Sequence, residues 1–253
     1  MTSVVELAGG AVRLTTDAQV ATVTLARPER RNALTPAVWH ALASIGADLP
    51  EQVRVVVVRG EGPSFCAGID IKLLTGQEPG QVARAEDADF EQQVAGYQAG
   101  YLWLRDPRIV SIAAVHGHAI GAGFQLALSC DLRILADDAR FCMKEPALGL
   151  VPDLTGTKPL VDIVGLPRAI ELCLTARTVT AQEAVMLRLA ELMVPAGDLD
   201  GAVADLVAAL LATDAAAARA TKALLLRAPG NTLEEQAAAE RRAQRELLLS
   251  RGL

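Results

Sequence analysis

Short apolar runs, each followed by a turn or a short helix, constrain the fold of this chain most. Residues 53–59 and 109–115 are continuous apolar segments of strand length, and residues 132–136 are a third. Such runs are typical of strands that are covered on both faces. A short buried helix is predicted at 121–129, after a glycine-rich turn. The order strand, glycine-rich turn, helix, strand predicts right-handed crossovers and an α/β core.

The N-terminal third adds a hairpin and two helices to this core. Residues 11–14 and 20–25 are rich in β-branched side chains and predict the hairpin. Thr35 and Pro36 predict the start of a helix over 36–48, with threonine as N-cap and proline at the first helical position. The polar stretch 76–89 predicts a loop that leads into a helix near 90–103.

Helices dominate after residue 155. Thr180 and Glu183 predict a capping box, and the segments 198–212, 214–227 and 231–250 are helical in pattern. We expect a boundary near 195–197, between an α/β core (1–195) and a helical region (196–253). The helical region carries more leucine than three short helices can bury, so we expect it to pack on the core or on another subunit. These leucines are Leu206, Leu210, Leu224, Leu225, Leu247 and Leu248.

Composition narrows the functional classes. The 253 residues carry a net charge of −6, which argues against a nucleic-acid-binding protein because such proteins need a basic stripe. The N-terminus has no basic region, and no uncharged apolar run reaches the length of a membrane span, so we expect a cytoplasmic protein without a membrane anchor. The four cysteines are predicted to be buried reduced thiols, namely Cys66, Cys130, Cys142 and Cys173.

Two segments with small residues predict a site for carbonyl chemistry. Residues 65–72 and 117–125 each follow an apolar run and contain glycines that let a chain turn tightly and expose backbone N–H groups. Two sources of N–H groups suggest an oxyanion hole. Glu145 lies 20 residues beyond Gln125, in a segment that Pro146 restrains. The combination predicts acid–base catalysis at a carbonyl compound.

Other interpretations of these segments are weaker or stay open. The pattern G-x-x-x-G-x-G at 117–123 has the wrong order for a dinucleotide-binding turn. His116 and His118 flank Gly117, but no third ligand is suitably spaced, so we predict no metal site. Asp70 can be a simple N-cap, and Lys72 a solvated side chain or a phosphate ligand. The same two alternatives, solvation or phosphate binding, apply to Arg27, Arg30 and Arg31.

Taken together, these motifs resemble the enoyl-CoA hydratase/isomerase (crotonase) superfamily over almost the whole chain. The segments that carry the resemblance are 27–34, 65–72, 114–125, 130–133 and 145–153. The resemblance implies a crotonase-like α/β spiral of β-β-α units with a helical trimerisation region, and homotrimers or dimers of trimers. It also implies an acyl-CoA thioester substrate, with coenzyme A as part of that substrate and no separate cofactor.

By motif position, the resemblance assigns an oxyanion hole to the N–H groups of Ile69 and Ala122. It assigns Glu145 and the position of Gln125 to the two catalytic glutamates of hydratases. It places Arg27 close to the phosphates of coenzyme A. The residues that would line the coenzyme A channel are Ala33, Ala67, Gly68, Asp70, Ile71 and Lys72.

The chain departs from the hydratase pattern at Gln125, because an amide cannot take or give a proton at neutral pH. A single carboxylate suffices to move a double bond, so the favoured hypothesis is an enoyl-CoA isomerase with Glu145 as base. The alternatives are a hydratase with Gln125 orienting water, and a non-catalytic acyl-CoA-binding protein. Asp153 matches an additional acid of dienoyl-CoA isomerases, and the same Pro-Asp pair also occurs in ordinary hydratases. Leu154 replaces a common glycine and is expected to shape the acyl pocket.

The resemblance does not define the acyl group. A steroid or terpenoid thioester is as compatible with the sequence as a fatty acyl one.

Overall fold

The computed structural model describes residues 2–74 and 87–252 and contains two β-sheets. The larger sheet has seven strands in the order β1-β2-β3-β4-β5-β7-β10, and the smaller has three in the order β6-β8-β9. The strands are β1 (Ser3–Leu7), β2 (Val12–Asp17), β3 (Val20–Leu25), β4 (Val55–Gly60), β5 (Val110–Val115), β6 (His118–Ile120), β7 (Leu132–Ala136), β8 (Arg140–Cys142), β9 (Val179–Thr180) and β10 (Leu192–Val194).

The larger sheet changes from antiparallel to parallel at β3. Strands β1, β2 and β3 pair antiparallel, and the predicted hairpin is confirmed as β2 and β3. Strands β3, β4, β5, β7 and β10 then pair parallel to one another. The three apolar runs form β4, β5 and β7, as their pattern predicted. Strand β1 has an exposed face and was not predicted from the sequence.

Ten helices connect and cover the two sheets in the described part of the chain. The predicted helices at 36–48, near 90–103, at 121–129 and in the C-terminal region are all confirmed, within a few residues at their ends. The loop predicted at 76–89 falls mostly outside the described residues. The helices are α1 (Pro36–Ala47), α2 (Ile71–Leu74), α3 (Asp87–Leu102), α4 (Ala122–Ser129), α5 (Thr157–Val164), α6 (Leu166–Thr175), α7 (Ala181–Met186), α8 (Leu199–Leu211), α9 (Ala215–Arg227) and α10 (Leu233–Ser250).

At β4, β5 and β7 the larger sheet is covered on both faces, as continuous apolar strands require. Side chains such as Val56 and Val58 belong to the main core, which also contains α1 and α4. The alternate side chains Val55 and Val57 pack in a second cluster with Leu199 of α8. Helix α8 therefore covers the core sheet, and α9 and α10 follow it. The domain boundary near 195–197 stays a prediction.

Two local expectations are corrected by the structure. The Thr180 hydroxyl accepts a hydrogen bond from the Glu183 N–H, but the Glu183 carboxylate accepts from Arg177 instead of completing a capping box. A complete capping box forms at Thr232, where α10 begins. Three of the four thiols are buried, whereas Cys173 is only half-buried because it lies at the partly exposed face of α6.

Two further observations concern membranes and metals. Within the described ranges, no single helix has the length and apolar composition of a membrane span. The segments Ala196–Leu211 and Ala215–Gly230 have that length and composition only when taken together, and the chain bends by 103° between them. The described residues also contain no group of three or more His, Cys, Asp or Glu side chains arranged to hold a metal ion.

Candidate active site

A cavity of about 390 Å³ lies among the segments that the sequence analysis singled out. Residues Ala67, Gly68, Ile69 and Ile71 line one wall, and Gly121, Ala122 and Glu145 line another. Side chains of α3, together with Leu150, Val151 and Leu154, add apolar walls. Two predicted glycine-containing segments and the predicted glutamate thus share one largely apolar cavity.

The backbone geometry leaves the N–H group of Ile69 available. Leu34 bridges the neighbouring residues: its N–H donates to the Gly68 carbonyl at 2.7 Å, and its carbonyl accepts from the Asp70 N–H at 2.9 Å. Successive peptide groups of an extended segment point to opposite sides, so the Ile69 N–H points away from Leu34. It has no acceptor among the described residues.

The N–H group of Ala122 is available for a different reason. Helix α4 begins at Ala122, directly after Gly121 in a conformation with φ of 50°. The first N–H groups of a helix have no acceptor within the helix and carry its partial positive charge. The described residues provide no acceptor for the Ala122 N–H either. The cavity is therefore bordered by two residues with free N–H groups, as an oxyanion hole requires.

Gly68 allows these two backbone segments to approach each other. Its φ is 93°, and a Cβ atom at this position would lie 2.7 Å from the Ile120 carbonyl oxygen and 3.7 Å from the Ala122 nitrogen. Any side chain would push the segment of Ile69 away from the start of α4. Glycine at this position therefore serves the close approach of the two N–H donors.

Glu145 is the buried carboxylate of the cavity. It begins a 3₁₀ helix (Glu145–Leu148) and is 8% exposed. Its Oε1 accepts a hydrogen bond from the Gln125 amide at 2.7 Å, whereas its buried Oε2 has no partner in the described structure. Burial raises the pKa of the Glu145 carboxyl, and the charge of Asp153 raises it further, although hydrogen bonds from its own N–H and from Gln125 oppose the shift.

Gln125 is fully buried and is not among the residues that line the cavity. Its amide nitrogen donates to Glu145, and its amide oxygen accepts from the N–H groups of Leu154 at 2.9 Å and Gly156 at 3.1 Å. The amide thus connects the glutamate to the segment that precedes α5. Its oxygen is already satisfied by two donors, so Gln125 orients Glu145.

Asp153 is a second carboxylate of the same cavity. The residue keeps an exposed surface, but partial desolvation by its surroundings raises the pKa of its carboxyl, although its own backbone N–H opposes the shift. Its backbone carbonyl accepts a hydrogen bond from Gln98 of α3 at 2.7 Å, which connects this segment to the opposite wall. The cavity therefore holds two carboxyl groups with raised pKa values.

Asp70 is held by two arginines and a backbone group. Its carboxylate accepts from Arg27 at 3.2 Å, from Arg30 at 3.1 Å and from the Lys72 N–H at 3.3 Å. Desolvation alone would raise the pKa of Asp70, but these hydrogen bonds and charges outweigh it and lower the pKa. The side chain is 3% exposed. Asp70 thus fastens the arginine turn to the segment that carries Ile69.

The predicted channel residues separate into two groups. Ala67, Gly68 and Ile71 line the cavity. Ala33 is buried outside the lining, and its carbonyl accepts from Arg27 at 2.8 Å. Lys72 is half-buried, one residue beyond Ile71. Arg31 is exposed, so the three arginines are not simply solvated: two form ion pairs and one faces solvent.

Aromatic side chains of the cavity were missed by the sequence analysis. Tyr97 of α3 lines the cavity and packs against Trp39, with ring centroids 4.5 Å apart and ring planes tilted by 32°. Trp39 Nε1 donates to the Tyr101 hydroxyl at 3.1 Å, which in turn donates to the Ala122 carbonyl at 3.2 Å. The tyrosines lie four residues apart on α3 and so share a helix face. This spacing, in a chain with few aromatics, was the signal available.

The two histidines near Gly117 have structural contacts. His116 Nε2 lies 2.8 Å from the Gly62 carbonyl oxygen, and His118 Nδ1 lies 3.4 Å from the Ser64 hydroxyl. Both rings thus have hydrogen-bond partners within the protein.

A parallel-sheet core, two free N–H groups and a buried carboxylate define an enzyme class that stabilises a charged carbonyl oxygen. The chain belongs to the enoyl-CoA hydratase/isomerase family, whose family model matches residues 15–251, and thus to the crotonase superfamily. Its fold is the crotonase fold.

Relatives with known names share this family. A Thermobifida fusca protein assigned as an enoyl-CoA hydratase and solved in complex with CoA is 59% identical, over 97% of this chain and 96% of that one, with a TM-score of 0.94. The enoyl-CoA hydratase echA8 assigned in Mycobacterium bovis is 34% identical, over 89% of this chain and 85% of the relative. A peroxisomal Δ3,5-Δ2,4-dienoyl-CoA isomerase of Arabidopsis thaliana is 32% identical, over 88% and 83%.

Proposed function

We propose that this enzyme moves a carbon–carbon double bond in an enoyl-CoA thioester, with Glu145 as the only catalytic base. The observation that carries the proposal is the difference between two neighbouring side chains. Glu145 lines the cavity and has a carboxylate oxygen without a partner in the described parts of the chain, whereas Gln125 lies outside the lining with its oxygen already bonded. A reaction that needs one carboxylate matches this arrangement better than one that needs two.

The proposed reaction proceeds through an enolate. Glu145 removes a proton from C2 of a 3-enoyl thioester, and the electron pair of that bond moves onto the thioester oxygen. The N–H groups of Ile69 and Ala122 donate to this oxygen, and losing one such donor typically costs about 3–4 kcal/mol of transition-state stabilisation. When the carbonyl reforms, the double bond shifts to C2–C3 and Glu145 returns the proton at C4. No atom is gained or lost.

The environment of Glu145 supports its role as base. Burial raises the pKa of its carboxyl, so the carboxylate accepts a proton from carbon more readily than an exposed one would. The side chain also lies close to Gly121, where a Cβ atom would be 3.0 Å from Oε1. Glycine at this position leaves room for the carboxylate beside the start of α4.

Coenzyme A is proposed as part of the substrate, without a separate cofactor. The related Thermobifida fusca protein was solved in complex with CoA, which supports an acyl-CoA ligand for this chain. Ala67, Gly68 and Ile71 would border the thioester end. Lys72 directly follows Ile71 in the chain, and Arg27 reaches the same segment through its ion pair with Asp70, so both would contact the phosphates. Ala33 and Asp70 would support this wall from behind.

Two other reactions remain candidates. The names of the relatives favour hydration, in which water adds to a 2-enoyl thioester; Gln125 would then have to orient water through its second amide hydrogen. Isomerisation of a dienoyl thioester is favoured by Asp153, whose carboxyl shares the cavity with Glu145. The alternative that is not an enzyme is a protein that binds acyl-CoA without turning it over.

The experiment is product analysis with purified protein. A trans-3-enoyl-CoA, a trans-2-enoyl-CoA and a 3,5-dienoyl-CoA are each incubated with wild type, Glu145→Gln and Asp153→Asn. We expect conversion of the 3-enoyl to the 2-enoyl compound by wild type and Asp153→Asn, and a loss of about 100-fold or more in Glu145→Gln.

Each other outcome contradicts the proposal in a distinct way. Rapid formation of 3-hydroxyacyl-CoA from the 2-enoyl compound would establish hydration. Turnover of the diene alone, lost in Asp153→Asn, would establish dienoyl isomerisation. Binding of all three thioesters without turnover of any would indicate the non-catalytic protein.

A further inference from the structure

Tyr97 has a buried hydroxyl without a hydrogen-bond partner. The residue is 4% exposed, it lines the cavity, and its Oη has no partner in the part of the chain that the structure describes. It lies on the face of α3 that Phe90, Gln93 and Val94 also present to the cavity. The Trp39 ring packs against the Tyr97 ring in a tilted arrangement and restrains its position.

Tyr101 lies one turn further along α3, and its buried hydroxyl has hydrogen-bond partners. Its hydroxyl accepts from Trp39 at 3.1 Å and donates to the Ala122 carbonyl at 3.2 Å. Buried polar groups are nearly always paired, so an unpaired one in a cavity wall calls for an explanation. Phenylalanine would fill the position of Tyr97 without that cost, which makes the hydroxyl informative.

We propose that Tyr97 is a specificity residue, whose hydroxyl bonds to an oxygen substituent, a hydroxyl or an oxo group, on the distal part of the acyl chain. Burial raises the pKa of the phenol, so the group stays protonated and can donate. The other side chains that α3 presents to the cavity are apolar apart from Gln93, and the charged lining residues Lys144, Glu145 and Asp153 belong to other segments. An unsubstituted chain along α3 would therefore leave the hydroxyl desolvated and unpaired.

This inference rests on the proposed acyl-CoA site, but it does not depend on whether the enzyme isomerises or hydrates its substrate. The substituent must lie beyond the reacting carbons, because Tyr97 belongs to α3 whereas the free N–H groups and Glu145 belong to the other walls. The substrate class is therefore an oxygenated acyl-CoA, in contrast to a plain fatty acyl-CoA.

The test compares saturated thioesters that bind but cannot react. Hexanoyl-CoA and octanoyl-CoA are each paired with analogues that carry a hydroxyl or oxo group between C5 and C8, and affinities are measured by calorimetry for wild type and Tyr97→Phe. We expect at least one oxygenated ligand to bind wild type about tenfold more tightly than its parent, as one buried hydrogen bond provides. Tyr97→Phe should abolish this preference and bind the parent chain as well as wild type does.

The result that overturns the proposal is equal preference of wild type and Tyr97→Phe across the whole panel. If no thioester binds either protein, the acyl-CoA site itself fails and the proposed function fails with it. If all ligands bind and removal of the Tyr97 hydroxyl changes no affinity, only the role of Tyr97 is refuted. The two failures are therefore distinguishable.

Thermal unfolding provides a second, independent measurement. Removing an unpaired buried hydroxyl should raise the Tm of Tyr97→Phe, whereas Tyr101→Phe loses two hydrogen bonds and should have a lower Tm than wild type. A lower Tm for Tyr97→Phe would mean that its hydroxyl is satisfied within the protein, which overturns the proposal.

Discussion

The side-chain amide of Gln125 contacts three groups in two separate segments. It donates to Glu145 and accepts from the backbone of Leu154 and Gly156. A carboxylate at this position would repel Glu145 at the same 2.7 Å separation, so one of the two groups would have to carry a proton. The amide avoids this conflict and leaves Glu145 free to ionise. At the scale of single residues, the proposed role of Glu145 as base thus depends on a neutral neighbour.

We predict that Gln125→Met lowers kcat by about 10- to 100-fold with little change in KM. Small displacements of a catalytic group cost about this much, and methionine fills the space without holding Glu145. The steady-state isomerase assay measures both constants. Gln125→Glu is the matched comparison: it keeps an acceptor for Leu154 and Gly156, but should shift the acidic limb of the pH–rate profile upwards. An unchanged kcat in Gln125→Met would refute the orienting role.

A second prediction concerns pH and stability. The folded-state pKa of Glu145 is raised, so the native state keeps its proton longer than the unfolded chain does. The stability of wild type should therefore fall as pH rises from about 4.5 through the raised pKa, because the buried carboxylate then ionises. Glu145→Gln removes this loss, so its Tm advantage over wild type should grow with pH and then level off.

The control for this prediction has the opposite sign. Glu235 caps α10, and hydrogen bonds from Thr232 lower the pKa of its carboxyl. Its stabilisation is therefore present above the unfolded pKa and is lost as pH falls. Glu235→Gln should thus be less stable than wild type at neutral pH, and the difference should shrink in acid. Thermal unfolding between pH 3 and 8 tests both variants; a Glu145→Gln protein less stable than wild type at pH 8 contradicts the prediction.

At the scale of elements, the site depends on loops that are fastened to one another. The turn that carries Arg27 and Arg30 and the segment of Ile69 are far apart in sequence, and Asp70 joins them. Asn32 adds to this fastening, since its amide nitrogen donates to the carbonyls of Glu61 and Ser64. The position of the Ile69 N–H is therefore set by contacts between loops as well as by the sheet.

We predict that Asp70→Asn destabilises the protein by about 1–3 kcal/mol at neutral pH, because two guanidinium groups lose their buried anion. The pKa of Asp70 is lowered in the folded state, so its stabilisation is present above the unfolded pKa of 3.8 and is lost as pH falls below it. Denaturant unfolding at pH 7 and at pH 3 should show the difference between variant and wild type shrinking in acid. A constant difference would argue against the ion pairs.

At the scale of the whole molecule, the helical C-terminal region is fastened to the core and still exposes leucines. Lys222 of α9 donates to the carbonyls of Asp106 and Ile109 and pairs with Asp131. Leu233 is 88% exposed and Leu249 is 62% exposed. We propose that a second and a third copy of the chain cover such leucines in a homotrimer, with a dimer of trimers as the alternative.

The double variant Leu233→Glu, Leu249→Glu should therefore assemble less tightly, because each charge would be buried without a partner at such an interface. Light scattering after size exclusion, at several protein concentrations, measures the mass. We expect a trimer or hexamer for wild type and one chain for the variant. A monomeric wild type, or a variant that keeps the wild-type mass, contradicts the proposal.

Local sequence patterns predicted much of the fold, because strand burial and helix starts depend mainly on neighbouring residues in the sequence. The parallel strands β4, β5 and β7 followed from continuous apolar runs, and α1 followed from Thr35 and Pro36. Strand β1 was missed because its side chains are mostly exposed, so its sequence lacks the alternation that marks a half-buried strand. The capping box predicted at Thr180 was wrong because Arg177 competes for the Glu183 carboxylate, and no local pattern reveals such a competitor.

The sequence by itself determined the family, and it singled out Glu145 and the segments 65–72 and 117–125 as parts of the candidate site. It could do so because turns and helix starts need particular residues at particular positions. Only the tertiary structure decided that Gln125 lies outside the cavity, that Asp70 is paired and that the Tyr97 hydroxyl has no partner among the described residues. Each of these facts depends on which distant segments meet and in what orientation. A side chain's partners come from packing in three dimensions, which a linear pattern does not encode.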